Sequence, residues 1–170
     1  KGNNVGGVFT TGIKSNIQVL TTSSLQGIAV APTEVDNLVR RIPLLLRTPD
    51  GWVASFGTQV LKAITGARSY IITTNENGIQ EIAVRGLPPV KTDSFGRKWI
   101  SWVKTSETTL AEMDVKDKYV FIGVTANGVM PQIATPVGLV EPHYIQAALA
   151  ESMLIPNSPF IPDYALAAEL

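Results

Sequence analysis

His143 is the only histidine in the chain, and Glu141 stands just before it, across Pro142. On extended backbone, residues two apart point to the same side, so this acid and this imidazole could share one ligand or one metal ion. At a helix start the same pair has a plainer use. The carboxylate then lies beside unpaired N–H groups and the positive end of the helix dipole, while the imidazole packs or caps. Two ligands without a third, and no His/Asp cluster elsewhere, do not make a metal site. A single imidazole leaves one possible base for a Ser-His-Asp arrangement, and no Gly-x-Ser-x-Gly elbow is present. A hydrolase or metal-dependent enzyme would have to gather His143, Glu141 and Asp36 or Asp93 in one cleft.

The adjacent pair Arg40-Arg41 is the second candidate. Neighbours on a strand point to opposite faces. One guanidinium can pair a buried carboxylate such as Asp36 while the other stays solvated, or one can clasp an anionic ligand with both prongs. Arg40, Arg41, Glu141 and His143 are therefore the candidate ligand-binding residues, with no catalytic set, metal or cofactor expected. Gly123 and Gly128 have the spacing of a phosphate loop, but Val129 and Met130 stand where Lys and Ser/Thr would neutralise phosphate and hold magnesium. That stretch reads as a strand running into an Asn127-Gly128 turn.

Composition removes further classes. Among 170 residues, 45% are hydrophobic and 16% charged, a globular balance and not a disordered one. Lys plus Arg and Asp plus Glu both total 14, so no basic surface attracts nucleic acid. The absence of cysteine excludes thiol nucleophiles, thiolate metal sites and disulfides. No apolar run approaches the roughly 20 residues that span a bilayer. The chain reads as a soluble piece of a larger protein.

Positioning these residues falls to mixed elements in one unit, 1–170. A first strand is expected over 5–9. A helix capped by Ser15 or Asn16 would carry Ile17, Leu20, Ser24 and Leu25 inward and stop at Gly27. A strand over 39–47 is interrupted or placed at an edge by Pro43. Trp52, Phe56, Val60 or Leu61, and Ile64 recur at helical spacing and end at Gly66. "SYIITT-NENG-IQEIAV" reads as a hairpin about an Asn-Gly turn. Strands over 98–103 and 119–124 flank a short helix over 108–113. On the 98–103 strand Trp99 and Trp102 face opposite sides, one into the core and one outward. Pro142 opens a helix with Ile145, Leu149 and Met153 inward, closed by Pro156. The fold class is α/β or α+β, with a mixed central sheet flanked by helices.

The order of four segments carries a resemblance. "TEVDNLVRRIPLLL" is similar to the Asp-x-x-Val-Arg-Arg-x-Pro-Leu segment of CHASE domains of the second subtype, extracellular sensor domains of bacterial receptors. "DSFGRKWISW", "KYVFIGVTANG" and "IATPVGLVEPHYIQAAL" follow in that family's order over about residues 16–154. Pro131 stands where the family often has Asp, Leu139 replaces a usual Gly, and the family's first acidic portion has no counterpart before Lys1. The resemblance implies an extracytoplasmic (periplasmic or extracellular) sensory domain of a membrane receptor. It would bind an unknown small ligand and report to cytoplasmic signalling domains of the same polypeptide, such as an adenylate cyclase or a histidine kinase. The 162–170 stretch would lie near the membrane re-entry point. A homodimer, or a ligand-free protein-interaction module with an apolar patch around Trp102, is the other expectation.

Overall fold

The computed structural model describes residues 6–102, 108, 114–126, 128–155, 158–160 and 165. Strand β1 (Val8–Phe9) pairs in parallel with β3 (Leu45–Thr48), which pairs antiparallel with β4 (Gly51–Ala54). Strand β2 (Arg41–Pro43) belongs to a different ladder, antiparallel to β8 (Arg97–Trp99). The sequence expectation of one strand interrupted by Pro43 is met in a specific way, because the chain changes sheets at Leu44. Pro43 has no N–H to continue a ladder. The Leu44 N–H turns instead to Gly96 O at 3.0 Å, and the Leu44 carbonyl accepts from Ser55 N–H at 3.0 Å.

The expected hairpin forms from β5 (Tyr70–Asn75) and β6 (Gly78–Val84), with β7 (Val90–Lys91) beside it. Its turn chemistry differs from the expected Asn-Gly centre. Glu76 and Asn77 make the turn, the Asn75 Oδ1 accepts from Asn77 N–H at 2.8 Å, and positive φ falls on Gly78 alone, at 129°. A further hairpin, β9 (Ile133–Thr135) with β10 (Gly138–Val140), lay hidden in a stretch too short to show alternation.

Three helices complete this α+β arrangement: α1 (Gln18–Ser23), α2 (Phe56–Thr65) and α3 (Pro142–Leu154). Helix α3 has Pro142 in its first turn and buries Ile145, Leu149 and Met153 as their spacing requires. Helix α2 ends at Gly66 in the left-handed conformation, φ 65°. Its inner face is the expected one only in part, with Leu61 buried and Ile64 packed on the core. Gly57, Thr58 and Leu61 are buried, Phe56 is 39% exposed, and Trp52 lies on β4. The reason is close helix packing: a Cβ on Gly57 would meet Gln146 O at 2.7 Å. Small residues face α3, and the larger ones are turned aside. Helix α1 buries nothing, with Val19 71% and Leu20 48% exposed, and Leu25, beyond its end, is 65% exposed, so the expected inner face does not form.

Residues 119–124 are not in a strand. Tyr119, Val120, Ile122 and Val124 are exposed. Beyond residue 108, the expected helix over 108–113 lies outside the described residues, as do the stop at Pro156 and most of 162–170. The 98–103 strand shortens to β8, and its buried residues are Lys98 and Ile100, with Trp99 only half-buried.

Gln146 joins the two packed helices to the rest. Its Oε1 accepts from Gly57 N–H at 3.1 Å and its Nε2 donates to Val30 O at 2.8 Å, with the residue 2% exposed. Replacing it by Leu keeps the volume but strands a buried donor and a buried carbonyl. We expect Gln146→Leu to cost about 2–4 kcal/mol, and the exposed Leu25→Ala less than about 0.5 kcal/mol, both read from urea denaturation.

Candidate functional site

Two clusters hold the residues singled out above. The first is a charge node. Asp93 sits in the turn between β7 and β8, and its side chain is 2% exposed. The turn closes through Gly96 N–H to Asp93 O at 2.9 Å and Asp93 N–H to Arg97 O at 3.1 Å, with Gly96 at φ 74°. Inside it, Asp93 Oδ1 accepts from the N–H groups of Phe95 at 3.1 Å and Arg97 at 2.9 Å. Oδ2 accepts from Arg97 Nε at 2.7 Å and Arg41 Nη1 at 3.2 Å. A carboxylate offers about four lone-pair positions, and all four are used. Arg41 also donates to Glu34 Oε1 at 2.8 Å, and its guanidinium lies 5.8 Å from the Trp99 ring centre.

Arg40 points the other way, as strand neighbours must. It grips Asp36 with both prongs, at 2.9 and 2.6 Å. A pair between Asp36 and one of the two arginines was expected, but as a buried one. The Asp36 side chain is 51% exposed, and the buried carboxylate is Asp93, held in part by the other arginine, Arg41. The hydrogen bonds from Arg40 and from Leu38 N–H lower the Asp36 carboxyl to about 2. An Asp followed by Gly three residues on is a turn signal. That signal, in Asp93-Ser94-Phe95-Gly96, was available in the sequence and marks the node.

The second cluster surrounds the start of α3. Glu141 is its N-cap, without a side-chain capping bond, and its Oε1 instead accepts from Gln132 Nε2 at 3.2 Å. That bond, then Glu141's own N–H, then the nearby His143 hold its carboxyl below the usual range. The His143 ring lies on the Gly123 backbone, so closely that a Cβ at 123 would overlap its Cγ and Nδ1. Gly123 is thus a close-approach glycine, and the phosphate-loop spacing is incidental. Phe121 meets Phe56 edge-on, with ring centres 5.9 Å apart. Beside these contacts is a depression of about 200 Å³ lined by Val124, Thr125, Ala126, Gly128, Met130, Gln132 and Glu141.

The enzyme reading needed His143, Glu141 and Asp36 or Asp93 in one cleft. The structure brings only Glu141 near His143, while Asp36 and Asp93 are held by arginines. Among the described residues no group of three or more His, Asp or Glu could hold a metal ion. What the arrangement can do is bind and hold.

The CHASE2 domain model matches residues 3–168. This chain belongs to the CHASE2 family. The match extends beyond the four ordered segments at both ends. CHASE2 domains are extracellular sensor domains of membrane receptors. No curated protein and no solved structure matches this CHASE2 chain significantly. Among its described residues no helix is long and apolar enough to cross a membrane.

Three outcomes are expected from this geometry. Asp93→Asn removes the charge that two guanidinium groups face and should cost about 3–5 kcal/mol in urea denaturation. Arg40→Ala should return the Asp36 titration, followed by carboxyl NMR, from about 2 toward 3.8. A lowered folded-state pKa gives stability that is present above the unfolded value and lost as pH falls through the folded one. The Asp36–Arg40 contribution should therefore fade between about pH 4 and pH 2. Gly123→Ala should destabilise by about 1–3 kcal/mol through overpacking against His143, with amide shifts in 120–126 and the first turn of α3.

Proposed function

We propose that this CHASE2 domain is the extracytoplasmic sensory input unit of a bacterial transmembrane receptor. It takes up a small ligand and passes the bound state to a cytoplasmic cyclase or kinase domain of the same polypeptide. The family match over residues 3–168 carries this reading. The charge geometry supports a non-enzymatic role, because Asp36 and Asp93 are each engaged with arginine.

The ligand site we favour is the depression beside Glu141, in place of the arginine pair. Arg41 is committed to Glu34 and Asp93, and Arg40 to Asp36. Glu141 and Gln132 offer an ionised carboxylate and an amide beside Thr125. About 200 Å³ is smaller than the roughly 300–1,000 Å³ of drug-sized pockets, so the ligand is a cation or a small polar metabolite with donor groups.

Calorimetric titration with inorganic cations, small amines and amino acids is the test. A binder whose affinity falls about tenfold or more in Glu141→Gln, a loss of about 1.4 kcal/mol, is the expected result. Resistance of the intact receptor's domain to protease added outside spheroplasts would sink the extracytoplasmic placement.

One observation favours a second reading, contact with another chain. It is the exposed apolar run 119–124, since Trp102, the centre expected for such a patch, packs on the core instead. On this reading sedimentation across a concentration series gives a dimer mass, and Ile122→Asp returns it to monomer.

A further inference from the structure

Lys98 is 3% exposed, and its Nζ donates to the carbonyl oxygen of Pro159 at 3.0 Å. An ammonium has three donors and no acceptor. Among the described residues that carbonyl is its one acceptor, and no carboxylate answers its charge. Burial holds its pKa below the usual amine range. The contrast with Asp93, whose four lone pairs all have donors, is sharp. A buried cation resting on one carbonyl is costly to the fold. What it accomplishes must lie in what it holds.

Two contacts define that. Lys98 and Ile100 alternate inward along β8 and its continuation, and Trp102 on the same face packs against the core. The Ser152 Oγ near the end of α3 accepts from Ser101 N–H at 2.9 Å. Farther along the chain, Pro159 takes the Lys98 ammonium. The order of contacts, 152 with 101 and then 159 with 98, runs the chain back along β8 in the opposite direction. Next to Pro159, the Ser158 Oγ is buried with no hydrogen-bond partner among the described residues.

We propose that Lys98 is a strap that holds the segment 158–160 onto the inward face of β8, so that the packing of the sheet sets where the segment beyond α3 lies. Its use in signalling rests on the sensor reading. The strap itself is a property of the fold. It also accounts for a cation in the core: a neutral side chain would pack there, but would not fix a backbone carbonyl at one place.

Hydrogen exchange read by mass spectrometry tests this on the whole chain. Lys98→Met keeps the length of the side chain and removes the charge and the donors. The strap predicts that amides of Ile155, Ser158 and Phe160 exchange about tenfold faster or more, as local opening does when a tether is lost. Amides of β6 and α3 should keep their rates. The melting temperature should hold or rise, because a buried charge with no carboxylate partner among the described residues has gone. Lys98→Arg, which retains donors, should keep most of the protection.

Unchanged exchange at 155–160 in Lys98→Met, with α3 still protected, overturns the strap. Should Lys98→Met fail to fold, a nitroxide on Phe160→Cys in the otherwise native chain decides. The absence of cysteine elsewhere makes this label unique. An immobilised spectrum supports the strap, and a fast isotropic one overturns it. Neither readout needs a ligand or a membrane, so failure of the sensor reading and failure of the strap are told apart.

Discussion

Taking the Asp93 carboxylate out of water is the constraint around which the sheet side of this domain is ordered. Desolvating one such ion costs several kcal/mol in a real protein unless its lone pairs are filled. The donors that fill them come from β2, through Arg41, and from β8 and its turn, through Arg97 and Phe95. They converge only when Arg41 lies opposite Trp99, the register observed. A slip of one residue would send Arg41 to the other face and leave the carboxylate short of a cation. Satisfying one charge thus selects the pairing of two short strands that have little else to fix it.

The same turn governs the change of sheet. Gly96, free to adopt positive φ, offers its carbonyl to Leu44 N–H, the first donor after a proline that has none. Leu44 in turn accepts from Ser55 N–H at the entrance to α2. The charge node is therefore continuous, through backbone bonds, with the start of the helix that packs on α3. There Gly57 and Ala150 let the helices approach, and Gln146 spans the gap between α2, α3 and the Val30 carbonyl. Gln146 has both of its amide groups answered there, which favours one packing of α2 on α3 over many.

What could be read from sequence follows the strength of local signals. Helix α3 was legible because Pro142 and a strict apolar spacing agree, and the β5–β6 hairpin because two β-rich runs bracket one turn. The inner face of α2 was legible only at Leu61 and Ile64, since the burial of Gly57 and Thr58 carries no hydrophobic signal. Arg40 and Asp36 could be paired from spacing. The buried role of Arg41 could not, because Asp93 is distant in sequence and only the fold unites them. The apolar run 119–124 reads as a strand on composition alone, yet pairing is a tertiary event, and here its residues make contacts through Phe121 and Gly123 instead. Lys98 was missed for the opposite reason: a lysine between two half-exposed residues looks like surface.

The two clusters differ in how firmly they are held, and that difference suits a sensor. Asp93 is over-determined, with each bond reinforcing the others. Among the described residues, the stretch that lines the depression beside Glu141 is joined to its surroundings by Phe121, which packs on the core and meets Phe56 edge-on, and by the His143 imidazole on Gly123. Turning a population from 1:99 to 99:1 takes about 5.5 kcal/mol of differential binding, and a few contacts of this kind are within reach of a small ligand. A ligand there would touch both that stretch and the head of α3. Helix α3 is packed along its length by Ile145, Leu149 and Met153, so it resists bending and moves, if at all, as a rod. On the sensor reading its far end, where Ser152 meets Ser101, is where such a movement would be delivered. The coupling then needs no long chain of intermediates, only one stiff helix between that rim and the Ser152–Ser101 contact.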